Sequence, residues 1–210
     1  MHSFDKRYWE QHWDFSCAAA MTGDHVAPPN PYVVDATRGL RPERALDAGC
    51  GTGTEAIWLA AHGWQVTGAD ISGTALAVAS KRAREAAVSD RVDWVEADLT
   101  TWDPQNRWDL VVTSYAHPAM PQPAFYRRVA GWVGPGGTLL IVGHLHDPTA
   151  TGPGHHPPHE ATVTLADITA GLNPAIWSID TAREHTRSAS GPGGHRVRLG
   201  DVVVRATRCS

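Results

Sequence analysis

Short apolar runs alternate along the chain with longer stretches whose apolar residues recur at helical spacing. Arg44–Ala48 (RALDA), Gln65–Ala69 (QVTGA) and Arg91–Glu96 (RVDWVE) are strand-length, the last with strict alternation. Trp108–Thr113 (WDLVVT) is nearly all apolar, as in a strand covered on both faces. Thr138–His144 predicts a fifth strand, entered from the turn Gly134-Pro135-Gly136-Gly137; Ala175–Thr186 and Val197–Thr207 predict two more. Helical patterns lie between them. Asp5–Phe15 puts Tyr8, Trp9, His12 and Trp13 on one aromatic face. Asn30 as cap and Pro31 at the first position open a second helix, which Gly39 ends. Ala56–His62 follows a glycine turn. Ser72 caps a helix to about Val88 with a stripe of Ala75, Leu76, Ala79 and Ala83. Pro123–Val133 and Thr164–Leu172 complete the set.

Alternation of strands and helices implies right-handed crossovers and a parallel sheet. The final two strands are joined by a loop too short for a crossover, so that pair must be antiparallel. The expected fold is α/β: a Rossmann-like seven-stranded sheet, mostly parallel with an antiparallel last strand, and helices on both faces. Residues 1–210 are expected to form one domain. Within it, 1–40 is an N-terminal helical cap and 146–160 a flexible loop rich in His, Pro and Gly.

Composition narrows the function. The formal charge of −4 gives no attractive field for a phosphate backbone. Three scattered cysteines, Cys17, Cys50 and Cys209, fit neither a disulfide framework nor a zinc site. Met1–Arg7 lacks the apolar core of a signal peptide, and no apolar run reaches bilayer length. The expectation is a cytoplasmic monomer or homodimer acting on a small molecule, with no nucleic-acid or membrane partner.

The chemistry concentrates in Ala45–Glu55 (ALDAGCGTGTE), a strand, a tight turn and a helix start. Glycines at 49, 51 and 53 allow sharp turning and close approach of a ligand. The helix start offers unpaired N–H groups and partial positive charge. A dinucleotide would call for G-x-G-x-x-G; here the spacing is G-x-G-x-G. Asp47 precedes the turn, where a carboxylate would repel pyrophosphate but accept an ammonium group. Asp70 closes the second strand 21 residues after Gly49, with two oxygens suited to a ribose diol. Asp98 follows the third strand, placed for an adenine amino group.

DAGCGTG, Asp70, the Glu96-Ala97-Asp98-Leu99 segment and the Gly134–Gly137 turn, in that order, resemble the class I S-adenosylmethionine-dependent methyltransferases over roughly residues 30–145. A looser similarity, in size and in the aromatic N-terminal helix, is to small bacterial members acting on thiols, thiopurines or tellurium and selenium oxyanions. The resemblance implies S-adenosylmethionine as donor and S-adenosylhomocysteine as product. It implies Gly49 and Gly51 behind the methionine moiety, Asp70 at the ribose, Ile71 and Leu99 beside adenine, and Asp98 at its amine. Asp47, Cys50, Gly53 and Ser114 complete the implied donor set.

The acceptor side falls at the ends of strands four and five, with Tyr115, His117, His144 and His146 as candidates and Tyr8, Trp9 and Trp13 as a lid. His117 is the first candidate for a base or acceptor-orienting group, with Tyr115 beside it. The acceptor can be S, Se or Te, O or N. The Asn/Asp-Pro-Pro-Tyr/Phe pattern of nucleobase amino-methyltransferases is missing after strand four. No metal is expected; the alternative is a metal-dependent protein using His144, His146, His155, His156 and His159. A further alternative is a nucleoside-binding domain without turnover.

Overall fold

The computed structural model describes residues 3–20, 28–146, 157–190 and 196–210. The helices are α1 (Lys6–Ala20), α2 (Pro31–Thr37), α3 (Thr54–Ala61), α4 (Gly73–Glu85), α5 (Gln122–Ala130) and α6 (Leu165–Ala170). The strands are β1 (Arg44–Ala48), β2 (Gln65–Asp70), β3 (Val92–Glu96), β4 (Trp108–Ser114), β5 (Val133–Leu145), β6 (Thr162–Val163), β7 (Trp177–Ser190) and β8 (Arg196–Arg208). The sheet order is β3-β2-β1-β4-β5-β8-β7, with β6 pairing β5 off that path. Pairs among β1 to β6 are parallel; β8 is antiparallel to both β5 and β7. The mostly parallel sheet with a reversed final strand is therefore present, with one more strand than expected. Beyond Ser114, where β4 ends, β6 pairs with His144 and Leu145 while β8 holds the other edge of β5.

The strands alternate between two cores, as the two-residue side-chain period requires. Leu46, Val111, Leu139 and Ile141 pack with α5 and α6 residues such as Phe125, Val129 and Ile168. Leu110, Val112, Leu140 and Val142 face Val33 of α2, Ala56 and Leu59 of α3, and Ala83 of α4. Helices thus cover both faces.

Two boundaries differ from the sequence reading. The helix expected over Pro123–Val133 ends at Ala130, and Gly131 N–H closes it on the carbonyls of Arg127 and Arg128. Val133 instead pairs with Trp108, and β5 runs on through Gly134–Gly137, with a register shift between Trp108 and Leu110. Gly136 carries that irregularity at φ 76. The His/Pro/Gly loop falls largely outside the described residues, as do its His155 and His156.

Order reverses between β1 and β4: β2 and β3 lie on one side, β5 and β8 on the other. The crevice at the carboxyl ends of those two strands is the ligand position of open α/β sheets. Beside it, the Trp94 ring fills space left by two glycines. A Cβ on Gly68 would lie 2.4 Å from that ring, and one on Gly53 would lie 2.6 Å from it. Gly68→Ala is expected to overpack this site by about 1–3 kcal/mol. Urea unfolding checks this, with Gly39→Ala the wrong control because Gly39 has φ +81.

Candidate active site

The glycine turn is held by Asp70. Gly51 N–H donates to its Oδ2 at 2.8 Å, and Ser72 N–H to its Oδ1 at 2.9 Å. Each oxygen keeps room for a second donor. Asp70 is 8% exposed. Burial pushes its pKa up, against the backbone N–H bonds of Ser72, Gly51 and Ile71, which pull it down.

A cavity of about 440 Å³ opens here, within the range of small-molecule sites. One half of its wall is Gly49, Cys50, Gly51, Asp70, Ile71, Asp98, Leu99 and Ser114. Asp98 is exposed, and its Oδ1 accepts from Thr100 N–H and Oγ1–H. Asn30 Nδ2 donates to Ser114 Oγ at 3.0 Å, and Asn30 N–H to Glu55 Oε1 at 3.1 Å. Glu55 and Thr54, at the start of α3, also line the wall.

Two residues of the expected donor set stand elsewhere. Asp47 is 1% exposed, lies behind the turn rather than in the cavity wall, and accepts Ala56 N–H at 3.0 Å. Its place follows from alternation: Leu46 and Ala48 face α5 and α6, so Asp47 points under α3. Burial and then the Glu55 charge push its carboxyl well above the usual range. Gly53 turns the chain at φ +77 and meets Trp94 and Ala79, not the cavity.

The other half of the wall is aromatic: Phe4, Tyr8, Trp9, His12 and Trp13 of the N-terminal segment, with Tyr115, His117, Phe125 and His144. Trp13 sits against the bare face of Gly51, where a Cβ would come within 2.8 Å of the ring. Trp9 Nε1–H donates to His117 O at 3.1 Å. Glu10 reaches across 63 residues to the start of α4, accepting from Gly73 N–H at 2.9 Å and Ser72 Oγ at 2.9 Å. Burial opposes its charge, but the bonds from Thr74, Ser72 and Gly73 hold its pKa below the usual carboxylate value. Lys6 pairs with Glu96 on the same side. So α1 both packs on the domain and roofs the site, and Glu10 was not foreseen.

Tyr115 leaves β4 at φ 53, a left-handed conformation that costs a non-glycine residue of order 1–3 kcal/mol. It places the ring 4.5 Å from His144 and 5.6 Å from the Arg187 guanidinium. Arg187 Nε–H bonds the buried Asp201 at 2.8 Å. His117 stacks on His144 at 5.3 Å. Burial, then the His144 charge, pulls His117 down to about 3. Burial brings His144 to about 4. Both imidazoles are neutral at neutral pH. His146 stands apart, edge-on to His159 at 4.8 Å. Among the described residues, no group of three or more His, Cys, Asp or Glu is gathered as a metal site.

A sheet that reverses at a glycine turn, with a buried acid closing the next strand, is the architecture of nucleotide-binding α/β domains. A family model described as "Methyltransferase domain" matches residues 45–137. A probable thiol methyltransferase 2 from Arabidopsis thaliana is 28% identical over 161 residues, covering 74% of this chain and 68% of that protein. Thiocyanate methyltransferase 1 from the same plant is 29% identical over 137 residues, covering 64% of this chain and 60% of that one. The crystal structure of magnesium protoporphyrin IX methyltransferase from Synechocystis PCC 6803 with bound S-adenosylhomocysteine superposes with a TM-score of 0.69 at 20% identity, covering 97% of both chains. The chain is thus similar to S-adenosylmethionine-dependent methyltransferases in its glycine-turn half, residues 45–137, and shares their fold over 97% of its length. The relatives it matches are named methyltransferases, and the structural neighbour holds S-adenosylhomocysteine. Among the described residues, no helix is long and apolar enough to cross a membrane.

Removing the Glu10 carboxylate deletes its bonds to the start of α4. Glu10→Ala is expected to weaken α1 docking by about 1–2 kcal/mol. Amide exchange over residues 6–14 should then speed up roughly 5- to 30-fold, while exchange in β1 and β4 stays unchanged.

Proposed function

We propose that this enzyme methylates the sulfur of a small thiol. The observation that carries the reading is the division of the cavity. Its acidic residues, Glu55, Asp70 and Asp98, stand on the glycine-turn side, and the opposite side is aromatic with two neutral imidazoles. The names of the thiol and thiocyanate methyltransferase relatives support the same chemistry.

The residues fit the donor. Asp70 accepts the ribose hydroxyls on the oxygen positions left by Gly51 and Ser72. Ile71 and the buried Leu99 flank adenine, and Asp98 accepts from its amine. Gly49, Cys50 and Gly51 back the methionine end. Ser114 and Glu55, joined through Asn30, face its amino acid group. Asp47 and Gly53 act from behind, by fixing α3 and the turn. When bound, S-adenosylmethionine supplies an electrophilic methyl on a sulfonium. Trp13 offers a ring face to that cation. Tyr8, Trp9 and Phe4 exclude water, so that holding the nucleophile in line supplies much of the rate.

The test pairs binding with turnover. Calorimetry should show S-adenosylhomocysteine binding to the native chain. Asp70→Ala removes charged hydrogen bonds of about 1.5–3 kcal/mol each, so binding should weaken roughly 100-fold or more. A panel of thiols, amines, phenols and carboxylates should then give methylated product from thiols. Turnover confined to an oxygen or nitrogen acceptor would sink the thiol assignment.

A further inference from the structure

Gln122 opens α5 with its side chain 2% exposed. Its amide nitrogen lies 3.2 Å from Ala116 O and 3.0 Å from His117 Nδ1. A carbonyl oxygen can only accept, so the amide end beside Ala116 must be the NH2. The same NH2 has one hydrogen left, and it points to Nδ1. The Nδ1 lone pair is therefore used, and the neutral ring carries its proton on Nε2. The one polar atom that His117 can offer a ligand in the cavity is an N–H donor. The cost of this arrangement is visible: Gln122 Oε1 is buried with no hydrogen-bond partner among the described residues. An unpaired buried carbonyl costs about 1–3 kcal/mol, which offsets what the two bonds of the amide nitrogen contribute.

We propose that Gln122 is a positioning residue that locks His117 as an Nε2–H donor. The site then orients a nucleophile that is already an anion and takes no proton from it. Its substrates are acidic thiols, aromatic or heteroaromatic, that are thiolates near neutral pH. The thiolate sulfur gives a lone pair to the methyl carbon. A sulfur–carbon bond forms while the sulfonium–methyl bond breaks, and that electron pair stays on the former sulfonium. Anion and cation become two neutral thioethers. The proton has gone to solvent before binding.

The surroundings of the ring agree. His144 of β5 and Trp9 of α1 stack on it, Phe4 stands at 5.8 Å, and Gln122 holds its other edge. Tyr115, next in the loop, has its phenol pKa raised by burial and by Asp201. The charged pair Arg187 of β7 and Asp201 of β8 lies with Tyr115 and His144. His144 is the titratable neighbour whose charge acts on His117, and it lowers the affinity of the ring for a proton.

The substrate half of this inference rests on the thiol reading; the tautomer half does not. Nitrogen-15 NMR of the histidine-labelled native chain, assigned by His117→Asn, should show His117 protonated on Nε2 and bare at Nδ1 from about pH 5 to 9. Gln122→Glu should reverse the tautomer, because a carboxylate accepts from Nδ1–H and frees Nε2 as a base. With para-substituted thiophenols of graded acidity, native kcat/KM should inflect at the pKa of each thiol. In Gln122→Glu a second inflection, common to all the thiols, should appear, and the least acidic thiol should gain at least ~10-fold on the most acidic. Gln122→Leu, which cannot choose a tautomer, provides the same comparison if the glutamate variant misfolds: it should lose the single tautomer. A native His117 protonated on Nδ1 overturns the proposal, whether or not a thiol turns over. So does a native inflection shared by all thiols between about pH 5 and 9. No turnover with any thiol, alongside the Nε2–H tautomer, counts against the thiol reading alone.

Discussion

One carboxylate joins the parts of the site that must not move. Asp70 takes Gly51 N–H on one oxygen and Ser72 N–H on the other, so it ties the glycine turn after β1 to the start of α4. Burial raises its pKa, yet those two bonds oppose the rise. Its remaining acceptor capacity faces the cavity. Ser72 continues the chain of contacts: its hydroxyl caps α4 at Ala75 and donates to Glu10. The turn, the helix start and the aromatic roof are thus linked through two acidic residues 60 positions apart. A shift at Asp70 would be felt at all three.

Bare glycines set where the rings lie. Gly51 leaves its face open to Trp13, while Gly53 and Gly68 leave theirs open to Trp94. The turn accordingly has a double use of missing Cβ atoms. On the cavity side the missing Cβ of Gly51 admits Trp13, and on the core side those of Gly53 and Gly68 admit Trp94. Trp94 and Trp13 fill opposite sides of the same short segment, so the segment is rigid although glycine is the most flexible residue.

Much of this was legible in sequence where local chemistry decides the outcome. β1 was predicted at its observed bounds, Asn30 and Ser72 do cap α2 and α4, and Asp70 does close β2. These follow from periodicity and capping, which act within a few residues. Features decided by distant partners were not legible. β6 is two residues long and exists because β5 outruns β4. Val133 joins β5 because Trp108 supplies its partner. Glu10, Glu55 and Gln122 carry no motif; each is defined by a backbone group or imidazole brought to it by the fold. Asp47 was readable in part: counting the two-residue period from Leu46 already turns it away from the α5 side, toward α3.

The electrostatic division of the cavity has a consequence for how α1 works. The proposed donor, S-adenosylmethionine, brings a positive sulfonium, and the acids Glu55, Asp70 and Asp98 line that half. An anionic nucleophile would be repelled by the same acids. The aromatic half separates the two fields: Tyr115, His117 and His144 carry no charge at neutral pH, and Trp9 and Trp13 come from a helix whose own acid, Glu10, is spent on α4. Where the rings of α1 keep water out, the attraction between the proposed thiolate and a sulfonium is stronger than in bulk water. The roof is therefore more than a water barrier. By using Glu10 as a latch at the rim and presenting indoles inward, α1 closes the site without adding a negative charge beside the nucleophile.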